Sequence, residues 1–337
     1  MTMTDRTARY WLRCCAVILL ALGITTPAPS YLSEVTASGG NVSPNRWDFT
    51  AFPVQWNLNP STGSNITGSR SATAVINSAF ATWGAAPNAL LAVARGADST
   101  VTNESKSSPG INLICFICAD ADFTRDTETL AVTISTTADA AGEADGHGGS
   151  SRFPGQIIKA DIIFNPSVSY STDPTVAGGN TQDLQTVATH EIGHFFGLDH
   201  TGVVRAVMFP FAPDLQTTLS YDDVAGISTV YPNPAQSYSP GSIAGRVSMA
   251  GSGAGVFGAH VFAGSTTAAL PIGGNIRKSP IGTLTRPDGT YLIQGVPGDS
   301  YILIAEPLDQ PMTSQDVQGY VNAFHGTPPT NFTSRWH

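Results

Sequence analysis

From Ser71 to Trp83 the apolar residues Val75, Ile76, Ala79, Phe80 and Trp83 recur at helical spacing, which predicts an amphipathic helix laid on a sheet, with Trp83 in the core. Around it the period is that of strands. Val54–Leu58 reads as an entry strand, and Ile111–Ile117, Leu130–Ser135 and Ile157–Phe164 are short, rich in β-branched residues and separated by Gly, Asp and Ser clusters. A second helix runs through His190 and His194. A third follows Ser220, a candidate N-cap with Asp223 three residues on, and turns Val224, Ile227 and Tyr231 to one face. The stretch Tyr231–Gly241 then holds three prolines and no period, as a stiff linker would. Beyond it Ile243–Val247, Ala259–Ala263, Gly289–Ile293 and Tyr301–Ala305 alternate apolar and polar residues between glycine turns, so the pattern there is wholly β. A chain ending near Pro234 is therefore expected to fold by itself.

The chemistry concentrates in His190-Glu191-Ile192-Gly193-His194-Phe195-Phe196-Gly197-Leu198-Asp199-His200, which holds three of the seven histidines. Helical residues four apart share a face, so His190 and His194 can offer two imidazole nitrogens to one metal, with Glu191 beside them. Gly197 can take the left-handed conformation that ends a helix, and the Leu198-Asp199 step then brings His200 round. Three neutral imidazoles and an open position suit a catalytic zinc, whereas a closed structural site uses four protein ligands. Activity is expected to fall as pH drops through the imidazole range.

This string is complete as HExxHxxGxxH, and the chain resembles the metzincin zinc endopeptidases through it. Ala206-Val207-Met208-Phe209-Pro210 resembles the Met-turn of those enzymes, which implies that Met208 packs beneath the histidines. Asp222-Asp223-Val224-Ala225-Gly226-Ile227 resembles the terminal helix of the matrixin, or matrix-metalloproteinase, branch. Phe209 and Phe211 stand where other branches carry a tyrosine that reaches the metal. The resemblance implies an α/β (α+β) zincin-type catalytic domain with a twisted mixed sheet and a zinc-binding helix. It also implies one catalytic zinc on His190, His194 and His200, and Glu191 as general base. Gly197 and Met208 would support the site, and an edge strand at Thr129–Thr133 would pair with an extended substrate, with Leu130, Ala131, Val132 and Pro210 at the substrate. A second, structural zinc has only His147 to draw on, in a glycine loop. Calcium at Asp-containing loops is a further expectation, with no ligand assigned. Residues 241–308 resemble the carboxypeptidase-regulatory-like, transthyretin-like β-sandwich, an accessory module for a protein or surface. His260 within it reads as a satisfied strand histidine.

The expected division is a signal peptide over 1–28, a short polar segment over 29–44, the metalloprotease domain over 45–232, the linker over 233–241, the sandwich over 242–308 and a tail over 309–337. The tail has no clear period and reads as an interrupted continuation. The leader is inferred from Arg6, Arg9 and Arg13 ahead of the apolar run Cys14–Ile24 and the small residues after it, a run too short for a good membrane span. Charged residues are only 12%, while Gly and Pro number 34 and 23, which describes a loop-rich globular chain. A formal net charge of -9 argues against nucleic acid and anionic membranes as partners. Cys115 and Cys118 would be the cysteines of the mature chain; in an oxidising compartment they form a local disulfide, the alternative being a buried free pair. Two functions follow from these residues. One is a secreted endopeptidase acting on extracellular proteins, and the other is a non-catalytic surface-binding or adhesion protein on the same scaffold. The oligomeric state has no signal.

Overall fold

Ser38-Gly39-Gly40-Asn41 opens the folded chain as a tight turn: both glycines carry positive φ, 56° and 80°, and join β1 (Val35–Ser38) to β2 (Asn41–Pro44) in an antiparallel hairpin. The polar composition of residues 29–44 conceals this hairpin. The computed structural model describes residues 32–103, 111–120, 123, 128–144, 149–174, 179–211, 215–235, 239–267 and 275–336. The leader and His147 lie outside them.

The next elements are β3 (Val54–Leu58), β4 (Ile66–Thr67), α1 (Ala72–Gly84), β5 (Val93–Arg95), β6 (Leu113–Cys115), β7 (Ala131–Thr137), β8 (Ile157–Phe164), β9 (Ser169–Ser171) and β10 (Thr181–Asp183). Ser71 caps α1 by accepting from the Ala74 N–H, and Val75, Ile76, Ala79, Phe80 and Trp83 are its buried residues, as the period requires. The central sheet has the order β5-β3-β6-β8-β7. Its first four strands are parallel, and β7 runs antiparallel to β8 at the edge. The expected edge strand at 129–133 is thus real, displaced by two residues at its start. A smaller parallel sheet has the order β10-β9-β4. Cys115 and Cys118 are joined by a disulfide and buried in a minor apolar cluster with Leu113 and Ile163.

Two further helices cover the sheet, α2 (Leu184–Phe195) and α3 (Tyr221–Val230). The core between them and the sheet is largely aromatic. Trp56 stacks on Phe80 at 4.8 Å, Phe195 meets Phe80 and Trp47 edge-on or tilted, and Trp83 is fully buried, its indole N–H donating to the Thr189 carbonyl inside α2. Ser220 and Asp223 close a reciprocal capping box at the start of α3.

The C-terminal region holds β11 (Gly241–Arg246), β12 (His260–Ser265), β13 (Ile281–Leu284), β14 (Thr290–Val296), β15 (Tyr301–Glu306), α4 (Gln318–Ala323) and β16 (Arg335–Trp336). They form a β11-β14 ribbon and a β13-β12-β15-β16 sheet, all antiparallel. The stretch after residue 308 therefore contributes a helix and an added strand, although its sequence has no period to announce either. The ribbon and the sheet close over Tyr221 and Ala225 of α3 together with Val261, Ile281, Ile293 and Val296. A separate cluster joins Phe257, Leu308, Met312, Val317 and Tyr320 to Leu32 of the N-terminal segment. His260 is buried at the contact with Gly202. Its Nδ1 lies 3.2 Å from Glu306, but Nε2 has no partner, so the histidine is only half satisfied.

Candidate active site

Asp183 caps α2 by accepting from the Thr186 N–H at 2.7 Å, and the helix carries His190 and His194 one turn apart. Its C-terminus is a Schellman motif: the Gly197 N–H donates to the His194 carbonyl and the Leu198 N–H to the Gly193 carbonyl. Gly197 has φ +83°, and a Cβ there would stand 2.2 Å from the Asn45 carbonyl oxygen, so the turn needs glycine on two counts. The chain then delivers His200 to the two helical histidines. The Nε2 atoms of His190, His194 and His200 lie 3.2 to 3.3 Å apart.

Every Nδ1 faces a backbone carbonyl: His190 that of Val207 at 2.7 Å, His194 that of Leu198 at 2.7 Å and His200 that of Asp316 at 2.6 Å. A carbonyl only accepts, so each Nδ1 must be the protonated nitrogen, and each Nε2 turns a lone pair toward the common centre. Three acceptors crowded without a proton between them repel one another unless a cation lies among them. A tetrahedral zinc with bonds of about 2.0–2.1 Å sets its ligand nitrogens roughly 3.3–3.4 Å apart, so the spacing fits. Burial, with the other histidines adding to it, pushes His190 down to about 3 and His194 well below its ordinary value. In the metal-free protein these two imidazoles therefore stay neutral, with Nε2 free to coordinate, far below the ordinary imidazole range. Among the described residues this is the one group of three or more His, Cys, Asp or Glu whose ligand atoms converge, and neither a second zinc nor a calcium site has support there.

Glu191 is buried beside the triad, and Thr133 of β7 stands over it with its hydroxyl 2.6 Å from Oε2 and 3.0 Å from the Glu191 carbonyl. Burial raises the Glu191 carboxyl to about 7, opposed by the hydrogen bond from Thr133. Glu34, on the N-terminal segment, reaches within 3.6 Å of His194 Nδ1 and is pushed up to about 8, by burial first and by the neighbouring Asp199 second.

Met208 is buried against Gly193, between the two helical histidines. An added Cβ at Gly193 would stand 2.1 Å from its sulfur and 2.9 Å from the Trp83 ring, so the glycine between the two helical histidines is what admits both side chains. The turn carrying Met208 is held by Asp223, whose carboxylate accepts from the backbone N–H groups of Val207, Met208 and Ser220. A cleft of about 640 Å³ runs past the triad and Glu191, and Leu130, Ala131, Val132 and Pro210 all line it, as do Phe209 and Phe211. Sequence reasoning misses Thr133, Glu34 and Asp316 as site residues, and it places Asp223 only as the residue three after the helix cap Ser220. The alternation of β7 could have pointed to Thr133; no local signal marks Glu34 or Asp316.

Residues 127–232 match the matrixin family, a stretch from just before β7 to the end of α3 that contains the whole triad. This region is matrixin-like. The chain is 41% identical over 101 residues to macrophage metalloelastase of Oryctolagus cuniculus, covering 28% of this chain and 21% of that protein. It is 36% identical over 96 residues to matrix metalloproteinase-16 of Homo sapiens, covering 27% of this chain and 16% of that protein. It is 51% identical over 55 residues to metalloendoproteinase 1-MMP of Arabidopsis thaliana, covering 15% of each. These similarities support a metalloprotease, and the family implies a catalytic zinc with which the His triad is consistent. The chain thus spans about a fifth or less of the length of these relatives. No described helix is long and apolar enough to cross a membrane.

Proposed function

We propose that this protein is a secreted zinc endopeptidase that hydrolyses peptide bonds of extracellular proteins. The observation that carries the reading is the convergence of three Nε2 lone pairs at zinc-like spacing, each ring locked by a carbonyl at Nδ1, beside a buried carboxylate. His190, His194 and His200 would hold the ion, with Met208 and Gly197 supporting them. When bound there, zinc supplies Lewis acidity for a peptide carbonyl and lowers the pKa of water toward about 7. Glu191 takes the proton of the attacking water at a carboxylate oxygen and returns it to the leaving amine. Its carboxyl is buried beside the histidines and hydrogen-bonded by Thr133, within reach of a water held at the site. Thr133 keeps one oxygen oriented, leaving the other for the water. The free edge of β7 suits an extended peptide, because strand addition uses backbone donors and acceptors, while Leu130, Ala131, Val132 and Pro210 contact its side chains. The basic, then apolar, then small-residue leader and the Cys115–Cys118 disulfide support export to an oxidising compartment.

The test separates holding the metal from doing the chemistry. Purified protein should carry one zinc and cleave members of a diverse peptide library. Glu191→Gln should keep zinc and fold while losing on the order of 10²- to 10⁴-fold in cleavage, and His200→Ala should lose zinc to a chelator that the wild type resists. Equal cleavage by wild type and Glu191→Gln would remove the proposed base. Zinc-loaded wild type that cleaves no peptide would favour the non-catalytic binding scaffold.

A further inference from the structure

Two of the three orienting carbonyls, Leu198 and Val207, belong to the matrixin-like stretch, but the third comes from Asp316, 116 residues beyond its histidine. We infer that the segment Thr313–Tyr320 is a metal-ordering clasp, whose Asp316 carbonyl positions His200 and so ties zinc affinity to the C-terminal region. The inference rests on the zinc reading above.

The loop Gly197–His200 needs such help. It has left the helix, and beyond the local turn bonds of Gly197 and Leu198 its supports come from distant chain. On one side the N-terminal segment grips it, Glu34 donating to the Gly197 carbonyl and the Asp199 N–H donating to the Leu32 carbonyl. On the other side the Asp316 carbonyl accepts from His200 Nδ1. The two sides are packed to each other, since Leu32 shares an apolar cluster with Val317 and Tyr320. The carbonyl is itself presented by a closed turn: Asp316 Oδ2 accepts from the Thr313 N–H at 2.7 Å and from its hydroxyl at 2.9 Å, while the Asp316 N–H donates to the Thr313 carbonyl. Asp316 also lines the cleft at the triad, so the clasp forms part of the wall beside His200. A ligand imidazole without its Nδ1 partner loses both its tautomer preference and its ring orientation, and groups in that position are worth about 10–100-fold in metal affinity. Asp316 acts through His200 and is a positioning residue.

The experiment uses the full chain and reads zinc affinity by chelator competition, with the absorption spectrum of the cobalt-substituted protein as a report on ligand geometry. Thr313→Ala combined with Asp316→Ala opens the turn. It should weaken zinc binding by about 10–100-fold and alter the cobalt spectrum, with a smaller change in the melting temperature of the metal-free protein than in that of the zinc form. Asp316→Asn keeps an acceptor for Thr313 and should bind zinc close to wild type, as should Gln315→Ala on the exposed side of the same turn. If the double variant does not fold, Thr313→Val, which removes the hydroxyl's bonds to Asp316 and from the Gln315 N–H but keeps the backbone bond to Asp316, should show the same loss in smaller measure. Unchanged zinc affinity and cobalt spectrum in the turn-opening variants would overturn the clasp while leaving the zinc site standing. A wild type that binds no zinc would overturn the metal reading itself.

Discussion

The α/β region and the C-terminal β region are stabilised on different principles. The first has one large core of its own, in which Trp47, Trp56, Trp83, Phe80, Phe164 and Phe195 fill the space between the central sheet and α1 and α2. The second has two small clusters, and each borrows from the first region: one takes Tyr221 and Ala225 from α3, the other takes Leu32 from the N-terminal segment. Buried polar contacts repeat the dependence. Asp222 accepts from the Gly282 N–H of the C-terminal sheet with one oxygen and from the Thr201 hydroxyl of the loop beyond His200 with the other. The two clusters and the Asp222 contacts therefore run across the proline-bearing stretch after α3 and couple the C-terminal strands to α3 and to the N-terminal segment. A chain cut near Pro234 would expose Tyr221, Ala225 and Leu32 and would lose the carbonyl that holds His200.

The largest loss of stability is expected in the first region. Trp83→Ala removes a fully buried indole that touches α2 and the space beside Gly193, and should cost about 3–5 kcal/mol in denaturant unfolding and weaken zinc binding with it. Ile293→Ala in β14 should cost about 2–5 kcal/mol. The sharper readout is the shape of the transition. Shared clusters predict that both variants unfold in a single cooperative step, followed by tryptophan fluorescence and by circular dichroism; an early transition confined to the Ile293→Ala protein would mean that the C-terminal region is an independent domain after all.

The pH dependence of the metal-free protein comes next. Glu34 and Asp222, pushed up to about 8, and Glu191, up to about 7, hold protons in the folded state that the unfolded chain releases near its ordinary carboxylate values. Their stabilisation is complete below the ordinary carboxylate values and is lost progressively as pH rises from there to about 7 to 8, where the folded groups also ionise. His190 and His194 have the opposite effect. Because their folded values are lowered, the unfolded state binds more protons, and stability climbs with pH until about 6.5, the ordinary imidazole value, and no further. Between about pH 6.5 and 8 the carboxyls act alone, so the melting temperature of chelated protein should fall across that window; a flat or rising profile would contradict the buried acids. The smallest effect belongs to Asp222→Asn. The amide keeps an acceptor for Gly282 and a polar partner for Thr201, so in acid, where Asp222 is protonated in both states, stability should change by no more than about 1 kcal/mol, within the scale of a single neutral hydrogen bond, while the fall toward pH 8 becomes shallower.

The core of the candidate site was legible because its information is local. His190, Glu191 and His194 are set by helical spacing, Gly197 by the need for positive φ, and α1, β3 and β8 by apolar periods that a helix or a buried strand imposes on any sequence. The edge position of β7 came with the resemblance, and its exact start did not, because Thr129 and Leu130 differ little from strand residues until the ladder to β8 is counted. Asp223 is expected only as the residue three after the cap Ser220 and is its partner in the capping box, yet the same carboxylate holds the Val207-Met208 turn, a second use that no spacing rule contains.

By itself the amino-acid sequence determined that two histidines share a helix face with a glutamate beside them, that a glycine turns the chain toward a third, and that an α/β stretch precedes a β one. Those properties depend on backbone geometry over a few residues and survive in any fold that contains them. Only the tertiary structure decided how the third histidine is held, what lines the cleft beside the triad and which residues the C-terminal region packs against. Each of these turns on groups far apart in the chain meeting: Asp316 with His200, Leu32 with Tyr320, Asp222 with Gly282. A carbonyl has no sequence signature, since every residue carries one; its position beside an imidazole is set by the packing of the whole molecule.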